Sequence, residues 1–343
     1  MKIIKRIRRI LSTYYLKLLP SNGPVAALYY FLFDSSFVRE MKAVYSGKRQ
    51  HVFTPDHVDS HRFTLRRNVH RLEKALIMRP RRESFAADYI GETITSLASV
   101  YPVDKTDPSR KNELKWFMDV LGSYFDSVTK KGPIEKAYEQ FTKIITSPSS
   151  SQISSIPFKR SDSPVLPFGY EELFTLFKRR RSVRWFLEKS VERDLIDKAI
   201  LAALQSPSAC NRQPFEFRIL EDDRCKEVSK IPMGMSGYGS NVPVLAVLVG
   251  KLDAYFDERD RHVIYVDGGL VSMSFMLALE TLGLSSCPIN WPDIERLERK
   301  MDLQLNLSPW ERPIMLMAIG YPDPDGGIPY SEKSPLEAMC RYN

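Results

Sequence analysis

Apolar residues recur at helical spacing through most of the first 145 residues. The periodic segments are 63–78, 85–100, 112–129 and 134–145. They show little of the alternation that marks a strand, so we predict a helical domain over residues 46–145. From 146 to 168 serine and proline are frequent and few large apolar side chains are available for burial, which predicts a linker.

After the linker the pattern changes to mixed helix and strand, and we predict an α+β domain over residues 169–343. The predicted helices occupy 171–181, 190–205, 263–282 and 292–301, and the predicted strands occupy 215–220, 242–249 and 314–319. Ser190 is the expected N-cap of the second helix, and Gly283 is expected to end the third.

Residues 1–45 form a basic segment. Six Lys and Arg residues precede the first acidic residue, Asp34, with apolar residues at helical spacing between them. The pattern predicts an amphipathic helix over about residues 2–19, which suits an anionic membrane surface and fits a helix packed on the protein's own core equally well. The apolar run 25–33 is far shorter than the ~20 residues of a membrane-spanning helix, so we predict none.

Composition narrows the class of partner. A length of 343 residues exceeds what one core usually organises, and the formal charge of +8 suggests an anionic partner. The basic runs lack interleaved aromatic residues, so we expect no nucleic-acid binding.

The cysteines show no CxxC spacing and indicate reduced thiols in a cytoplasmic protein. His51, His57 and His61 have no carboxylate motif around them, and we predict no metal site.

The densest polar block of the chain, residues 65–74, contains Arg66, Arg67 and Arg71. Guanidinium groups at this density can hold phosphates or carboxylates. A solvated helix face with alternating charges is the other interpretation, and the sequence leaves both open.

Two stretches carry chemistry suited to a flavin nucleotide. In residues 180–186 a helix ends in two guanidinium groups and a hydroxyl that can clamp a terminal phosphate, and the candidates are Arg180, Arg181 and Ser182. Arg184 of the same stretch is expected to place positive charge beside the pyrimidine end of a reduced flavin. Residues 206–215 lead from a helix into a strand and contain Ser208, Asn211 and Gln213. An amide side chain offers a donor and an acceptor, which complement the flavin pyrimidine edge.

With two further stretches, these motifs resemble the FMN-dependent nitroreductase family over about half of the chain. The third stretch contains Asp267-Gly268-Gly269 and Pro288-Ile289-Asn290. The fourth contains Ile319-Gly320-Tyr321-Pro322 and Ser331-Glu332-Lys333. The resemblance implies a nitroreductase-like FMN-binding fold, with a central mixed sheet flanked by helices. It also implies that Pro288, Ile289 and Asn290 lie along the flavin ring, that Lys333 completes the phosphate site, and that each FMN site of a homodimer borrows residues from both chains.

The chain departs from the family pattern in the parts that cover the flavin. Asn290 and Trp291 follow Pro-Ile where relatives often have an acid and a glycine, and the C-terminal segment keeps one basic residue instead of two. The stretch 231–240 lacks the amide and lysine expected over the ring, and the segment 250–263 is short. Substrate access is therefore expected to differ from that of relatives.

These features predict a flavoprotein that passes electrons from NADH or NADPH, bound transiently, through FMN to a small organic acceptor. The flavin carries the chemistry, and we predict no catalytic side chain. Longer relatives with a helical N-terminal half resemble proteins of bacterial polysaccharide genes, which suggests a role in envelope polysaccharide metabolism. The alternative is a non-catalytic binding or assembly module at the inner face of the membrane.

Overall fold

The computed structural model describes residues 2–18, 22–33, 36–53, 58–145 and 154–342. The helices of the N-terminal part are α1 (Lys2–Leu18), α2 (Gly23–Phe33), α3 (Ser36–Phe53), α4 (Val58–Leu76), α5 (Ile90–Asp104), α6 (Lys111–Ser127) and α7 (Pro133–Ile144). Those of the C-terminal part are α8 (Tyr170–Arg179), α9 (Arg193–Ala203), α10 (Asp222–Val228), α11 (Val263–Thr281), α12 (Glu295–Leu305) and α13 (Leu336–Met339). The strands are β1 (Phe215–Glu221), β2 (Val244–Lys251), β3 (Ser285–Asn290) and β4 (Glu311–Gly320).

Helices α4 to α7 enclose an apolar core of their own. Their inward faces bury large side chains, among them Phe117, Tyr124 and Phe125. Phe125 contacts the rings of Tyr138 and Phe141 at centroid distances of 5.3 and 5.1 Å. The helices predicted over this region are therefore present, although α5 begins five positions after the periodic segment that predicts it.

The C-terminal part has the predicted α+β class. Its four-stranded sheet has the order β1-β2-β4-β3, and every neighbouring pair is antiparallel. The parallel pairing implied by a mixed sheet is reduced, among the described residues, to an isolated bridge between Ser182 and Ser286. One face of the sheet packs on α9 and α11, because their apolar residues face Ala246, Leu248 and other strand residues.

Two boundaries differ from the sequence prediction. Ser190 is not an N-cap: α9 begins at Arg193 with Glu192 at the cap position, and no side chain caps it. The predicted helix 292–301 is shifted, since α12 runs from Glu295 to Leu305. Gly283 ends the long helix α11 as expected and has a φ of +77°, which glycine adopts without strain.

Helix α3 ties the N-terminal part to the C-terminal part. Arg39 donates to Glu295 at 2.9 Å and to Asp302 at 3.3 Å, both on α12. The His51 ring contacts the carbonyl of Asp253, which follows β2, at 2.8 Å. This helix crosses the boundary predicted at residues 45/46. The domain limits, including those of the linker 146–168, stay predictions. Residues 146–153 of that linker lie outside the described part of the chain.

Within the described residues, one helical stretch, Glu258–Thr281, is long and apolar enough by composition to cross a membrane. It includes α11, whose inner face packs on the sheet through Val271, Phe275 and Leu279. A core helix with this packing meets the same criterion of length and composition.

Candidate functional site

The segment after α8 lies against β3. The amide of Val183 donates to the carbonyl of Ser286 at 3.1 Å, beside the bridge that joins Ser182 to the same residue. This pairing places the predicted phosphate-binding segment next to the strand that contains Pro288, Ile289 and Asn290. The structure therefore brings the first and third predicted stretches together.

Two polar atoms at this junction have no partner among the described residues. They are Nε of Arg180, where α8 ends, and Oγ of Ser286, a fully buried residue. A buried donor or hydroxyl without a partner is uncommon, because its desolvation costs about 1–3 kcal/mol. Sequence reasoning did not select Ser286, although it lies within a stretch that the resemblance covers.

The other basic residues of this segment have different surroundings. Arg181 donates to the carbonyl of Pro329 at 2.8 Å and also to that of Tyr330, which holds the C-terminal tail near residue 181. Lys333 lies three residues further along this tail and is exposed. Arg184 donates to the carbonyl of Ser182 at 3.2 Å and lies over the ring of Tyr238.

The stretch 231–240 packs against β3. A Cβ on Gly234 would lie 3.1 Å from Cγ2 of Ile289, so a side chain there would press on the strand. Tyr238 is buried, and its hydroxyl contacts Sγ of Cys287 at 3.6 Å. Burial, and next the Cys287 contact, raise the pKa of Tyr238 well above its ordinary value, while Arg184 opposes the shift, so the phenol stays protonated at neutral pH.

The side chain of Trp291 does not face solvent at the end of β3. Its side chain is buried, and its indole N–H donates to Glu298 on α12 at 2.7 Å. Asn290, by contrast, is exposed at the end of β3. Only the first of the two departures after Pro-Ile therefore presents a side chain at the surface.

The second predicted stretch is anchored to the start of α11. Ser208 donates to Asp267 at 2.7 Å, and the amide of Ala209 donates to the same carboxylate at 3.1 Å. Burial raises the pKa of Asp267 above its ordinary value, while the hydrogen bonds from Ser208 and Ala209 oppose that shift. The following Cys210, Asn211 and Gln213 have φ values of 54°, 50° and 50° in the left-handed region, which non-glycine residues rarely adopt. Asp267 therefore acts as the anchor of a strained loop.

A helix of the N-terminal part also holds this loop. Arg66 on α4 donates to the carbonyl of Asn211 at 2.7 Å and to the amide oxygen of Gln213 at 2.8 Å. The amide nitrogen of Gln213 donates to Leu204 at 3.1 Å, so both ends of this side chain are engaged within the chain. The side-chain amide of Asn211 has no partner among the described residues, and of the two amides it is the one available to a ligand.

The two groups of candidate residues lie at opposite ends of α11. Ser208 is bonded to Asp267 near the start of the helix, whereas Arg179, which precedes Arg180, pairs with Glu280 near its end at 3.5 Å. At 1.5 Å per residue the two anchor points are about 20 Å apart along the helix axis. One chain therefore does not bring all the predicted residues together. The described residues include no group of three or more His, Cys, Asp or Glu that could hold a metal ion, and His57 lies outside them.

Comparison with known proteins gives the family of this region. The nitroreductase family model matches residues 177–232 and 239–321. Iodotyrosine deiodinase 1 from Sus scrofa is 23% identical over 225 residues, covering 56% of this chain and 76% of the relative. A putative NADH dehydrogenase/NAD(P)H nitroreductase from Archaeoglobus fulgidus is 26% identical over 175 residues, covering 50% of this chain and 94% of the relative.

Solved structures are similar over the same region. A putative nitroreductase from Desulfovibrio desulfuricans, in complex with FMN, has a TM-score of 0.43 and 20% identity, covering 50% of this chain and 96% of that one. The family match lies across the segments that contain most of the candidate residues. The C-terminal half of this chain contains a nitroreductase-family domain, and that family includes oxidoreductases.

Proposed function

We propose that this protein is an FMN-dependent oxidoreductase that passes electrons from NADH or NADPH to a small organic acceptor. The observation that carries the proposal is the pair of buried atoms without partners, Nε of Arg180 and Oγ of Ser286, beside Ser182. A phosphate dianion accepts charge-assisted hydrogen bonds from such groups and would satisfy both.

In this proposal each part of FMN has its own residues. The phosphate is held by Arg180, Arg181, Ser182, Ser286 and Lys333. The ring lies along Pro288, Ile289 and Asn290. Arg184 places positive charge near the pyrimidine end, and Ser208, Asn211 and Gln213 approach that end from a second chain. Of these last three, Asn211 contacts the flavin through its unpaired amide, while Ser208 and Gln213 hold the loop in place.

A homodimer is part of this proposal, because the candidate groups are about 20 Å apart within one chain. The outer faces of α8 and α11 support it. Leu173, Phe174 and Phe177 on α8 are exposed, as are Val266 and Leu270 on α11. Packing these faces against a second copy in a two-fold arrangement would bring the loop of one chain to the phosphate segment of the other.

Bound FMN would supply two-electron transfer, which no side chain of the described site provides. The residues of the chain bind the cofactor and orient it, and NAD(P)H and the acceptor bind in turn at the exposed end of β3. The names of the relatives favour two classes of acceptor, nitro compounds and iodotyrosines. A role in envelope polysaccharide metabolism rests on the sequence resemblance alone and stays a prediction.

The test is the visible absorbance spectrum of the purified protein, with the released cofactor identified by mass, before and after anaerobic addition of NADH or NADPH. Nitrobenzoate and 3-iodotyrosine are then added as acceptors. Arg180→Gln is expected to weaken FMN binding by about 10- to 100-fold, because it removes a charge-assisted bond. The matched control is Arg193→Gln, whose exposed guanidinium pairs with Glu221 away from the site.

Bound FMN that is bleached by NAD(P)H and reoxidised by an acceptor supports the proposal. A protein that cannot be reconstituted with FMN contradicts it and favours the non-catalytic binding module. FMN that binds equally well to Arg180→Gln would show that the phosphate site has been assigned to the wrong residues.

We further propose that α1 and α2 place the protein on an anionic membrane surface. Tyr15 donates to the carbonyl of Val25 at 3.0 Å, which joins the two helices, and α2 buries none of its apolar residues within the described structure. The six basic residues before Asp34 supply charge complementary to anionic lipid.

Flotation with vesicles tests this location. The protein is expected to bind phosphatidylserine vesicles and not to bind neutral phosphatidylcholine vesicles. Phe31→Glu is expected to weaken this binding. The control is Leu303→Glu on α12, which also replaces an exposed apolar side chain with a carboxylate. Equal binding of both variants would contradict a role for α2.

A further inference from the structure

A cavity of about 490 Å³ lies between the N-terminal helices and the C-terminal part. Helices α3, α4 and α5 form one side of it, and Arg212, Ala254 and Phe256 form the other. It differs from the proposed FMN phosphate site, because Arg212 belongs to the loop at the start of α11, whereas Arg180 lies near the end of that helix. A cavity of this size is large enough for a small organic molecule.

Two arginines line this cavity without an anionic partner. Arg212 is only 5% exposed and lies over the ring of Tyr255 at 4.9 Å, and Arg67 lies over the ring of Phe256 at 4.9 Å. Neither guanidinium group forms a hydrogen bond or an ion pair within the described part of the chain. The neighbouring arginines of α4 are paired: Arg66 with Glu113 and Arg71 with Asp88.

The charges around the cavity leave an excess of positive charge. Burial, followed by the nearby Arg212 and Arg71, lowers the pKa of Arg67 from its ordinary value. Glu92 is the acid that lines the cavity, but it accepts a hydrogen bond from Asn68 and lies beyond ion-pair distance of Arg67. Burial lowers the pKa of His51, so that ring is neutral near pH 7. An unpaired buried guanidinium is costly, and a bound anion would offset that cost.

We infer that this cavity binds a small organic molecule through an oxyanion group, a phosphate or a carboxylate, held between Arg67 and Arg212. Two guanidinium groups facing one space can each donate two hydrogen bonds to such a group. The lining also includes Val52, Phe63 and Phe256, which suit the apolar part of the same molecule. The ligand would also hold the flavin-facing loop, since Arg212 lies between Asn211 and Gln213.

The experiment is isothermal titration calorimetry on the full chain, saturated with FMN if FMN binds, using phenyl phosphate, benzoate and neutral benzamide. Phenyl phosphate or benzoate is expected to bind and benzamide is not. Arg67→Gln and Arg212→Gln are each expected to weaken oxyanion binding at least about tenfold. The matched control is Arg259→Gln, which removes the same charge from an exposed arginine near the ring of Phe256, outside the residues that line the cavity.

Three results would overturn the inference. They are no oxyanion binding tighter than about 1 mM, equal binding of benzamide, or unchanged binding by Arg67→Gln. Circular dichroism measures whether each variant folds. If Arg212→Gln does not fold, Arg67→Gln decides the question, because Arg67 is partly exposed whereas Arg212 is buried. The result does not depend on flavin binding, since the variants change neither Arg180 nor Ser286.

Discussion

The helical region 58–145 and the C-terminal region differ in how completely one chain buries their apolar residues. In α4 to α7 the large side chains of Phe117, Tyr124 and Phe125 are enclosed, and Phe125 is 1% exposed. In α8 no residue is buried, and Phe177 is 42% exposed. The first region completes its core within one chain. The second leaves an apolar face next to the candidate site, and the proposed second copy would cover it.

A pair of matched substitutions tests this difference most strongly. Phe125→Ala is expected to lower the free energy of unfolding by about 3–5 kcal/mol, because it opens a cavity in an enclosed core. Phe177→Ala is expected to lower it by about 1 kcal/mol or less when measured on the monomer. Urea unfolding measures both. Equal losses would show that α8 is part of a core within one chain.

The dimer face of α11 is tested by Leu270→Arg. A buried charge at this position would be costly, so the dimer is expected to dissociate at least about 100-fold more readily, with a corresponding loss of FMN. The control is Leu303→Arg, which is the same substitution at a residue of α12 that is 83% exposed. Sedimentation and FMN fluorescence measure the two effects. A Leu270→Arg dimer that retains FMN would contradict the proposed interface.

The contact between α3 and the C-terminal region predicts a pH dependence. Burial raises the pKa of Asp253 from 3.8 to about 7. Between these values the folded protein keeps a proton that the unfolded chain releases, so this group lowers stability as pH rises through that window. Asp253→Asn removes the effect. Its stability relative to wild type is expected to rise by roughly 1–3 kcal/mol from pH 4 to pH 7 and then to level off.

Urea unfolding at several pH values measures this difference. A constant difference between the two proteins across the window would show that Asp253 ionises normally in the folded state.

The smallest expected effect concerns the contact that links the two regions. Arg66→Gln removes the bonds to the Asn211 carbonyl and the Gln213 side chain together with the ion pair to Glu113, and is expected to lower the free energy of unfolding by about 1–2 kcal/mol. FMN affinity should fall several-fold, because the strained loop loses one of its two anchors. Arg71→Gln, on the same helix but without a contact to the loop, serves as the control. Equal FMN affinity in the wild-type protein, Arg66→Gln and Arg71→Gln would show that Asp267 alone positions the loop.

Much of the fold could be predicted because its signals are local. The periodicities predicted α4, α6, α7, α8 and α11, as well as β1, β2 and β4. Strand β3 was not predicted as a strand, since Ser285–Asn290 contains a proline and its ladder partner is Met315–Gly320 of β4, which lies later in the sequence beyond α12. Ser190 was the wrong cap because several polar residues precede α9 and packing selects where the helix begins.

The candidate site shows the same division. The guanidinium, hydroxyl and amide groups expected for a flavin nucleotide could be read from the chain, because chemistry of this kind depends on residue type. The anchoring hydrogen bonds of Asp267 and the burial of the Ser286 hydroxyl could not, since contacts between distant segments leave no periodic signal. For the polar block 65–74 the sequence left two interpretations open, because the partners of its arginines also lie in distant segments.

The sequence by itself determined most of the helices and strands, the resemblance of the C-terminal half to the nitroreductase family and the residue types available to a cofactor. Only the tertiary structure decided that Arg66 is engaged with the loop while Arg67 faces a cavity with Arg212. It also decided that the predicted site residues lie at opposite ends of α11. The physical reason is that periodicity and side-chain chemistry are properties of neighbouring residues, whereas burial and pairing depend on which distant segments pack together.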